Sequence, residues 1–391
     1  MGINYRNMYS LAFAQVFGMS ASVGYNLYGA LVGIMLAPSK ALVTLPVALL
    51  ILGPAIAAVP SALLMEKLGR KEGQIIGAFI GVLGAVLSVF ALYHSLFYLF
   101  CVSTIMIGMN NAFVQQYRFS VIEGLPRRLS SRAISALLFC NIISAYLGTG
   151  FIGYFKGLYD VLYTGAFLIL AIMLFASLIS LFFYSNPNKI TILNHSESKY
   201  TQSNGAQRNI VPAIIIAALS YAIMTFVMIG APVSMKLMHN MQLSDITFVI
   251  QSHITAMFLP SLFTGYLVSK YGNHRIVLIG TFCLAISAVI NITGSSFMHY
   301  LIGLVFLGVG WNFSFICATT ILTESYHYDQ RFKIQAINDL VVFGLNAAAA
   351  LLAGITIFYF GWQTLNIIAL MLVGMIFICL YYIYKGKLTV P

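Results

Sequence analysis

The sequence predicts an all-α polytopic membrane protein, with twelve transmembrane helices arranged as two pseudo-symmetric six-helix bundles. Three observations carry that expectation: composition, the spacing of apolar runs and an internal repeat. Of the 391 residues, 60% are hydrophobic and only 7% charged, and the mean hydropathy is +0.93. A soluble domain carries roughly a quarter charged residues, so this chain could not clothe itself against water. Lipid tails are the solvent that tolerates such an exterior. The repeat is a short basic turn, Glu66-Lys67-Leu68-Gly69-Arg70-Lys71, that returns as Ser269-Lys270-Tyr271-Gly272-Asn273-His274-Arg275. Lys67 corresponds to Lys270, Gly69 to Gly272 and, upstream, Ala62 to Gly265.

A spanning helix needs about 20 mostly apolar residues. Candidates run near 9–36, 41–65, 73–93, 97–122, 132–154 and 159–183, then near 212–235, 245–268, 275–293, 298–322, 334–359 and 363–384. Between the sets lies a polar stretch, 184–211, rich in Asn, Ser, Gln and Lys. The domain reading is therefore an N-terminal bundle over 1–183, a cytoplasmic tether over 184–211 with a short interfacial segment, and a C-terminal bundle over 212–391. The first apolar run carries only Arg6 before it and is too long for a signal-peptide core, which predicts a helix that stays in place.

Lysine and arginine orient the bundle. With an inward N-terminus the cytoplasmic segments hold Arg6, Lys67, Arg70, Lys71, Arg127, Arg128, Arg132, Lys189, Lys199, Arg208, Lys270, Arg275, Arg331, Lys333, Lys385 and Lys387. The outer loops hold Lys40, Lys156 and Lys236, and Arg118 lies inside a helix. This bias follows the positive-inside rule, places both termini in the cytoplasm of a bacterial inner-membrane protein, and accounts for the net charge of +11 without a nucleic-acid partner. The five cysteines lie in apolar runs without metal-ligand spacing, so they read as packing residues.

A second register supports the duplication. Glu123 and Arg132 bracket the turn between the fourth and fifth helices, and Glu324 and Lys333 bracket its counterpart; both pairs are expected as structural ion pairs. Gly108-Met109-Asn110 echoes Gly310-Trp311-Asn312. Repeated six-helix halves are a recurring plan of secondary transporters. With these residues in place, the chain resembles the major facilitator superfamily over essentially its full length. The family's loop between helices 2 and 3 runs Gly-x-x-x-Asp-Arg/Lys-x-Gly-Arg/Lys-Arg/Lys, and here it reads Ala62-x-x-x-Glu66-Lys67-x-Gly69-Arg70-Lys71. The resemblance implies that Glu66, Lys67, Gly69, Arg70 and Lys71 form a gating latch against helix 11. Two exporter signatures are absent, because Thr104 stands where exporters carry an Arg in helix 4, and Gly148-Thr149-Gly150-Phe151-Ile152-Gly153 lacks the proline of the helix 5 pattern. The segments around Gln251-Ser252-His253, Met257 to Ser261 and Gly310 to Phe313 resemble a bacterial branch whose likeness supplies no substrate.

The Gly148 to Gly153 string formally matches a dinucleotide fingerprint but lacks the preceding strand, so it reads as small residues for close helix packing. Ionisable groups at membrane depth are functional hypotheses by default. His253 lies nine residues after the expected outer start of helix 8, roughly 13 Å deep at the rise of a helix. It is a candidate proton-coupling site, against the alternative of a neutral imidazole bonded to another helix. Asp339 either answers Arg70 or Lys71 in the latch, the favoured reading, or carries a proton. Arg118 shares a helical face with Asn111 and Gln115, and is either a counter-ion for an acidic solute or an arginine paired with a loop charge. The resemblance implies that helices 1, 4, 7 and 10 line the cavity. Candidate substrate-binding residues there are Gln15 and Asn26, Asn111, Gln115 and Arg118, Tyr221 and Thr225, and Trp311 and Asn312. Pro232 is positioned to kink helix 7. No catalytic constellation, metal cluster or cofactor motif emerges.

The reading is an alternating-access secondary transporter of a small organic solute, proton-coupled, with a lean to uptake, acting as a monomer in the bilayer. Its rivals are a proton-driven efflux antiporter of drugs or metabolites, and a polytopic sensor without net transport. An enzyme would need a catalytic cluster at membrane depth.

Overall fold

The computed structural model describes residues 5–39, 42, 45–123, 125–126, 129–155, 157–186 and 207–388. Most of the expected tether, 187–206, lies outside the described residues, as do Lys40, Arg127, Arg128 and Lys156. The first half contains α1 (Tyr5–Leu36), α2 (Leu45–Leu68), α3 (Arg70–Tyr93), α4 (Phe97–Gln115, continued by the turn Tyr117–Ser120), α5 (Ser130–Phe155) and α6 (Thr164–Phe182). The second contains α7 (Ile210–Val233), α8 (Leu243–Phe258 and Ser261–Tyr271), α9 (Asn273–Thr293) and α10 (Phe297–Ser325). The continuous stretch Arg331–Leu388 holds α11 and α12 on either side of Gly361. Among the described residues this makes twelve helices, and no strand interrupts them.

The one-residue connections explain the repeated motif. Gly69 alone joins α2 to α3 with φ 101° and ψ 161°. Gly272 alone joins α8 to α9 with φ 85° and ψ 154°. Gly361 takes φ 80° and ψ 178°. That region of backbone space is essentially closed to residues with a Cβ, so glycine is the element of the repeat that the turn cannot lose. The acid of the first copy is under no such demand.

Prolines set two further irregularities. Pro232 cannot donate to the turn before it, and α7 runs on as a single wide π turn over Ser234–Met238. Pro260 breaks α8 into its two segments for the same reason.

By compactness the chain forms two units. The first comprises Met1–Leu125, Cys140–Leu193 and Phe332–Leu340, and the second Pro126–Phe139, Asn194–Arg331 and Val341–Pro391. The units therefore follow the two halves except at the starts of α5 and α11, which change sides. In the first unit α4 packs on α1, α2 and α3, while α6 packs on α1 and α3. In the second, α10 packs on α7, α8 and α9, so the tenth helix repeats the role of the fourth. The α2–α4 crossing is close: a Cβ on Gly108 would lie 2.5 Å from the Leu50 carbonyl oxygen. Gly148 likewise abuts the Ser20 carbonyl, the close approach that small residues permit.

The core of the first unit gathers Tyr25, Leu50, Phe100, Ile107, Phe167 and Leu174. Tyr25 is edge-on to Phe167 at 4.8 Å, and its hydroxyl meets that of Ser88 at 2.5 Å. Large apolar side chains such as Ile34, Phe79, Phe358 and Met371 point outward and exposed, the exterior a bilayer requires.

Candidate transport site

The first unit contains a buried polar chain close to the signature loop. Arg70, the first residue of α3, is buried, and its Nε donates to Glu123 Oε1 at 2.7 Å. Its Nη2 donates to Gln335 Oε1 at 2.7 Å and its Nη1 to Gln116 Oε1 at 3.4 Å. The guanidinium also lies over the Phe332 ring, 4.8 Å from its centroid. Gln116 Nε2 donates to Asp339 Oδ2 at 2.8 Å, and Arg118 Nη2 pairs with Asp339 Oδ1. Asn338 Nδ2 donates to the same Oδ1 at 2.9 Å. Two arginines thus face two carboxylates, and the buried cluster carries no net formal charge. In so dry a place each charge depends on its partner, because desolvating an unpaired ion costs several kcal/mol. Tyr184 is buried near this cluster; burial, and then the Glu123 carboxylate, push its phenol above the ordinary range.

These contacts revise several expected pairings. Asp339 is met by Arg118 rather than by Arg70 or Lys71. Arg70 reaches the α11 segment through Gln335 and Phe332, about one helical turn nearer its start. Glu123 pairs with Arg70, and the expected Glu123–Arg132 pair is not formed, since Arg132 Nε donates to Ser269 Oγ at 3.1 Å. Nor does Lys333 pair with Glu324, whose Oε2 accepts from Asn273 Nδ2 at 3.3 Å. Both expectations assumed that charges bracketing a turn fold back on each other, whereas long side chains reach for neighbouring helices. Glu66 and Lys67 are exposed, and among the described residues Glu66 forms no ion pair. Lys71 instead caps the end of α6, its Nζ donating to the Phe182 carbonyl at 2.8 Å.

The remaining first-unit candidates divide by depth. Gln15 is buried and its Nε2 donates to Asn141 Oδ1 at 2.8 Å, joining α1 to α5. Gln15 Oε1 and Asn111 Oδ1 are buried acceptors without a partner among the described residues. Gln115 is buried and Asn26 exposed.

The second unit presents an aromatic group. The half-buried Tyr221 of α7 stands edge-to-face against Trp311 at 5.4 Å, Phe315 at 5.4 Å and Phe343 at 6.3 Å. Trp311 stacks on Phe315 at 5.2 Å with 10° between the planes, and Phe258 meets its edge at 5.8 Å. The indole Nε1 of Trp311 is a buried donor with no acceptor among the described residues. One turn along α7, Thr225 donates to Asn346 Oδ1 of α11.

Asn312 and His253 hold helices together. Asn312 Nδ2 donates to the Met257 carbonyl at 2.7 Å and to Ser261 Oγ at 2.6 Å, and its Oδ1 accepts from Thr264 at 2.7 Å. Its polar atoms fill the backbone opened at Pro260, so the arrangement spends them on α8 rather than on a cavity. His253 is fully buried, with Nδ1 2.7 Å from the Leu304 carbonyl. A carbonyl only accepts, so Nδ1 carries the proton and Nε2 is left as a buried lone pair without a partner among the described residues.

Gln116, Gln335, Asn338, Asn141, Phe343 and Asn346 were not singled out from the sequence. A signal existed for two of them: Gln335 and Asn346 lie four residues before and seven after the candidate Asp339, on one face of α11.

The sequence profile of the Major Facilitator Superfamily matches residues 8–327 and, separately, 213–389. The riboflavin transporter RfnT of Brucella anthropi is 33% identical over 383 residues, covering 95% of each chain. The uncharacterised MFS-type transporter YddS of Bacillus subtilis is 30% identical, over 91% of this chain and 86% of its own. Among solved structures, the proton:xylose symporter XylE aligns over 98% of this chain and 96% of its own with a TM-score of 0.75 and 16% identity. The human organic anion transporter MFSD10 aligns over 98% and 100% with a TM-score of 0.75 and 12% identity. Twelve helices, the glycine-turned basic loop and these full-length matches agree, and the chain belongs to the major facilitator superfamily of multi-pass membrane transporters.

Proposed function

We propose that this chain imports a small organic solute with a planar heteroaromatic ring, of the riboflavin type, by alternating access coupled to protons. It would act as a monomer in the bacterial inner membrane, with both termini in the cytoplasm. The observation that carries the solute class is the aromatic group in the second unit, Tyr221 backed by Trp311, Phe315 and Phe343, with an indole N–H that has no acceptor among the described residues. A planar ring with acceptor atoms can stack there and take that hydrogen bond. The riboflavin transporter relative, matched from end to end, favours the same class.

An Arg118 turned toward the cavity would favour an acidic solute. Its charge is met by Asp339, which removes that motive and favours a neutral cargo. For coupling, the candidates remain His253, whose Nε2 lone pair is available to a proton, and Asp339, whose carboxylate is held by Arg118 and the Gln116 amide. The lean to uptake rests on the missing exporter signatures.

The experiment is complementation of a bacterial riboflavin auxotroph lacking its own importer, scored by growth at limiting riboflavin and by uptake of the labelled vitamin. Growth and uptake above the vector control are expected, with uptake lost on collapsing the proton gradient. Tyr221→Ala and Trp311→Ala should raise KM about tenfold, as removal of one stacking partner worth about 1–1.5 kcal/mol implies. Wild-type uptake no greater than vector would sink the solute reading. Faster loss of preloaded riboflavin from the cells would instead establish export.

A further inference from the structure

Gln116 occupies an unusual position in the buried cluster. It lies where α4 loses its regular winding, between Gln115 and Tyr117, and it is fully buried. Its amide touches both ion pairs, with Oε1 facing Arg70 at 3.4 Å and Nε2 facing Asp339 Oδ2 at 2.8 Å. The orientation is fixed by chemistry. Turned over, the amide would set N–H against guanidinium and oxygen against carboxylate, two repulsive contacts in place of two attractive ones. Only a side chain that both accepts and donates can bridge a cation of one pair to the anion of the other. An ionised Glu accepts at both ends, a Lys donates at both, and a Met of the same length does neither.

We propose that Gln116 is a positioning residue that fuses the Arg70–Glu123 and Arg118–Asp339 pairs into one unit, which forms and releases together during transport. Arg70 begins α3 at the signature loop, and Asp339 lies in the opening turns of α11. The amide therefore makes the loop sense whether the α11 carboxylate is in place. The charged groups facing Asp339 are Arg118 directly and Arg70 through Gln116, and Arg70 in turn carries Glu123. Breaking one pair leaves its neighbour with an altered partner, so the two should not break independently.

The test uses the purified full-length protein in nanodiscs and reads amide hydrogen exchange, so it requires no solute and stands apart from the riboflavin assay. In the otherwise native chain, Asp339→Asn should speed exchange about tenfold both at 332–340 and at the start of α3, residues 69–75. With Gln116→Met added, the acceleration from Asp339→Asn should be confined to 332–340. Gln116→Glu provides the conservative rescue. When protonated, its carboxyl both donates and accepts as the amide does, so at mildly acidic pH it should restore the slow exchange of 69–75 that Gln116→Met loses. At mildly alkaline pH the ionised form would repel Asp339 and behave like Met or worse. Each variant is compared with the parent at the same pH, and the Glu protein serves as its own folding control across the two conditions. An Asp339→Asn effect that never reaches 69–75 would overturn the proposal. So would a Glu variant that matches the Met variant at acidic pH.

Discussion

Arg118 and Asp339 illustrate how little a buried charge can be read alone. Each is essentially inaccessible to solvent and pairs with the other, and the amides of Gln116 and Asn338 also donate to Asp339. A buried pair is not a large net stabiliser, but removing one member strands the other. Arg118→Gln and Asp339→Asn should each lower stability by about 3–5 kcal/mol, seen as a lower melting temperature in detergent. The double variant Arg118→Gln/Asp339→Asn should recover more than half of that loss. Additive destabilisation in the double variant would mean that the two side chains do not depend on each other. At this scale the sequence was half legible. It marked Arg118, Asp339 and His253 because ionisable residues are rare in apolar runs, but pairing is decided by helix azimuth and tilt, which composition does not encode. That is why the sequence sets Asp339 against Arg70 or Lys71 and not against Arg118, and why the amides Gln116 and Gln335 stay silent in it.

The helices were legible for the opposite reason. Their lengths are imposed by bilayer thickness, and every apolar run long enough to cross has become a helix. The differences lie at the ends, where helices such as α11 begin a few residues earlier than the apolar pattern suggested, because polar residues continue a helix into the interface. Close crossings depend on single positions within them. Gly108 meets α2 with no room for a side chain, a Cβ there falling 2.5 Å from the Leu50 carbonyl, whereas nothing lies within 4 Å of a Cβ on Gly354. Gly108→Leu should abolish the folded monodisperse species in size-exclusion chromatography, while Gly354→Leu leaves it intact. Equal behaviour of the two would show that the crossing yields more readily than the packing suggests. The break at Pro260 is likewise an element-scale feature with a residue-scale remedy, since Asn312 donates to the Met257 carbonyl and the Ser261 hydroxyl on either side of it.

Across the whole molecule, the duplication survives in packing more faithfully than in sequence. The fourth and tenth helices each sit against the three that precede them in their own half. What the repeat could not foretell is the exchange of 126–139 and 332–340 between the compact units, which depends on contacts far apart along the chain. Sidedness belongs to this scale as well. A fluorescent-protein fusion at the C-terminus should mature and glow, and a periplasm-dependent phosphatase at the same place should stay inactive. An active phosphatase would invert the orientation deduced from the lysines and arginines.

The glycine at position 361 has a consequence for biosynthesis. The membrane-crossing stretch Tyr328–Tyr384 is 57 residues long, and Gly361 is the one non-helical residue within Arg331–Leu388. As one straight helix the stretch would reach roughly 86 Å, almost three times the hydrocarbon thickness of a membrane. No loop separates α11 from α12, only the single residue Gly361. Two crossings so closely joined are expected to enter the bilayer together, as a hairpin.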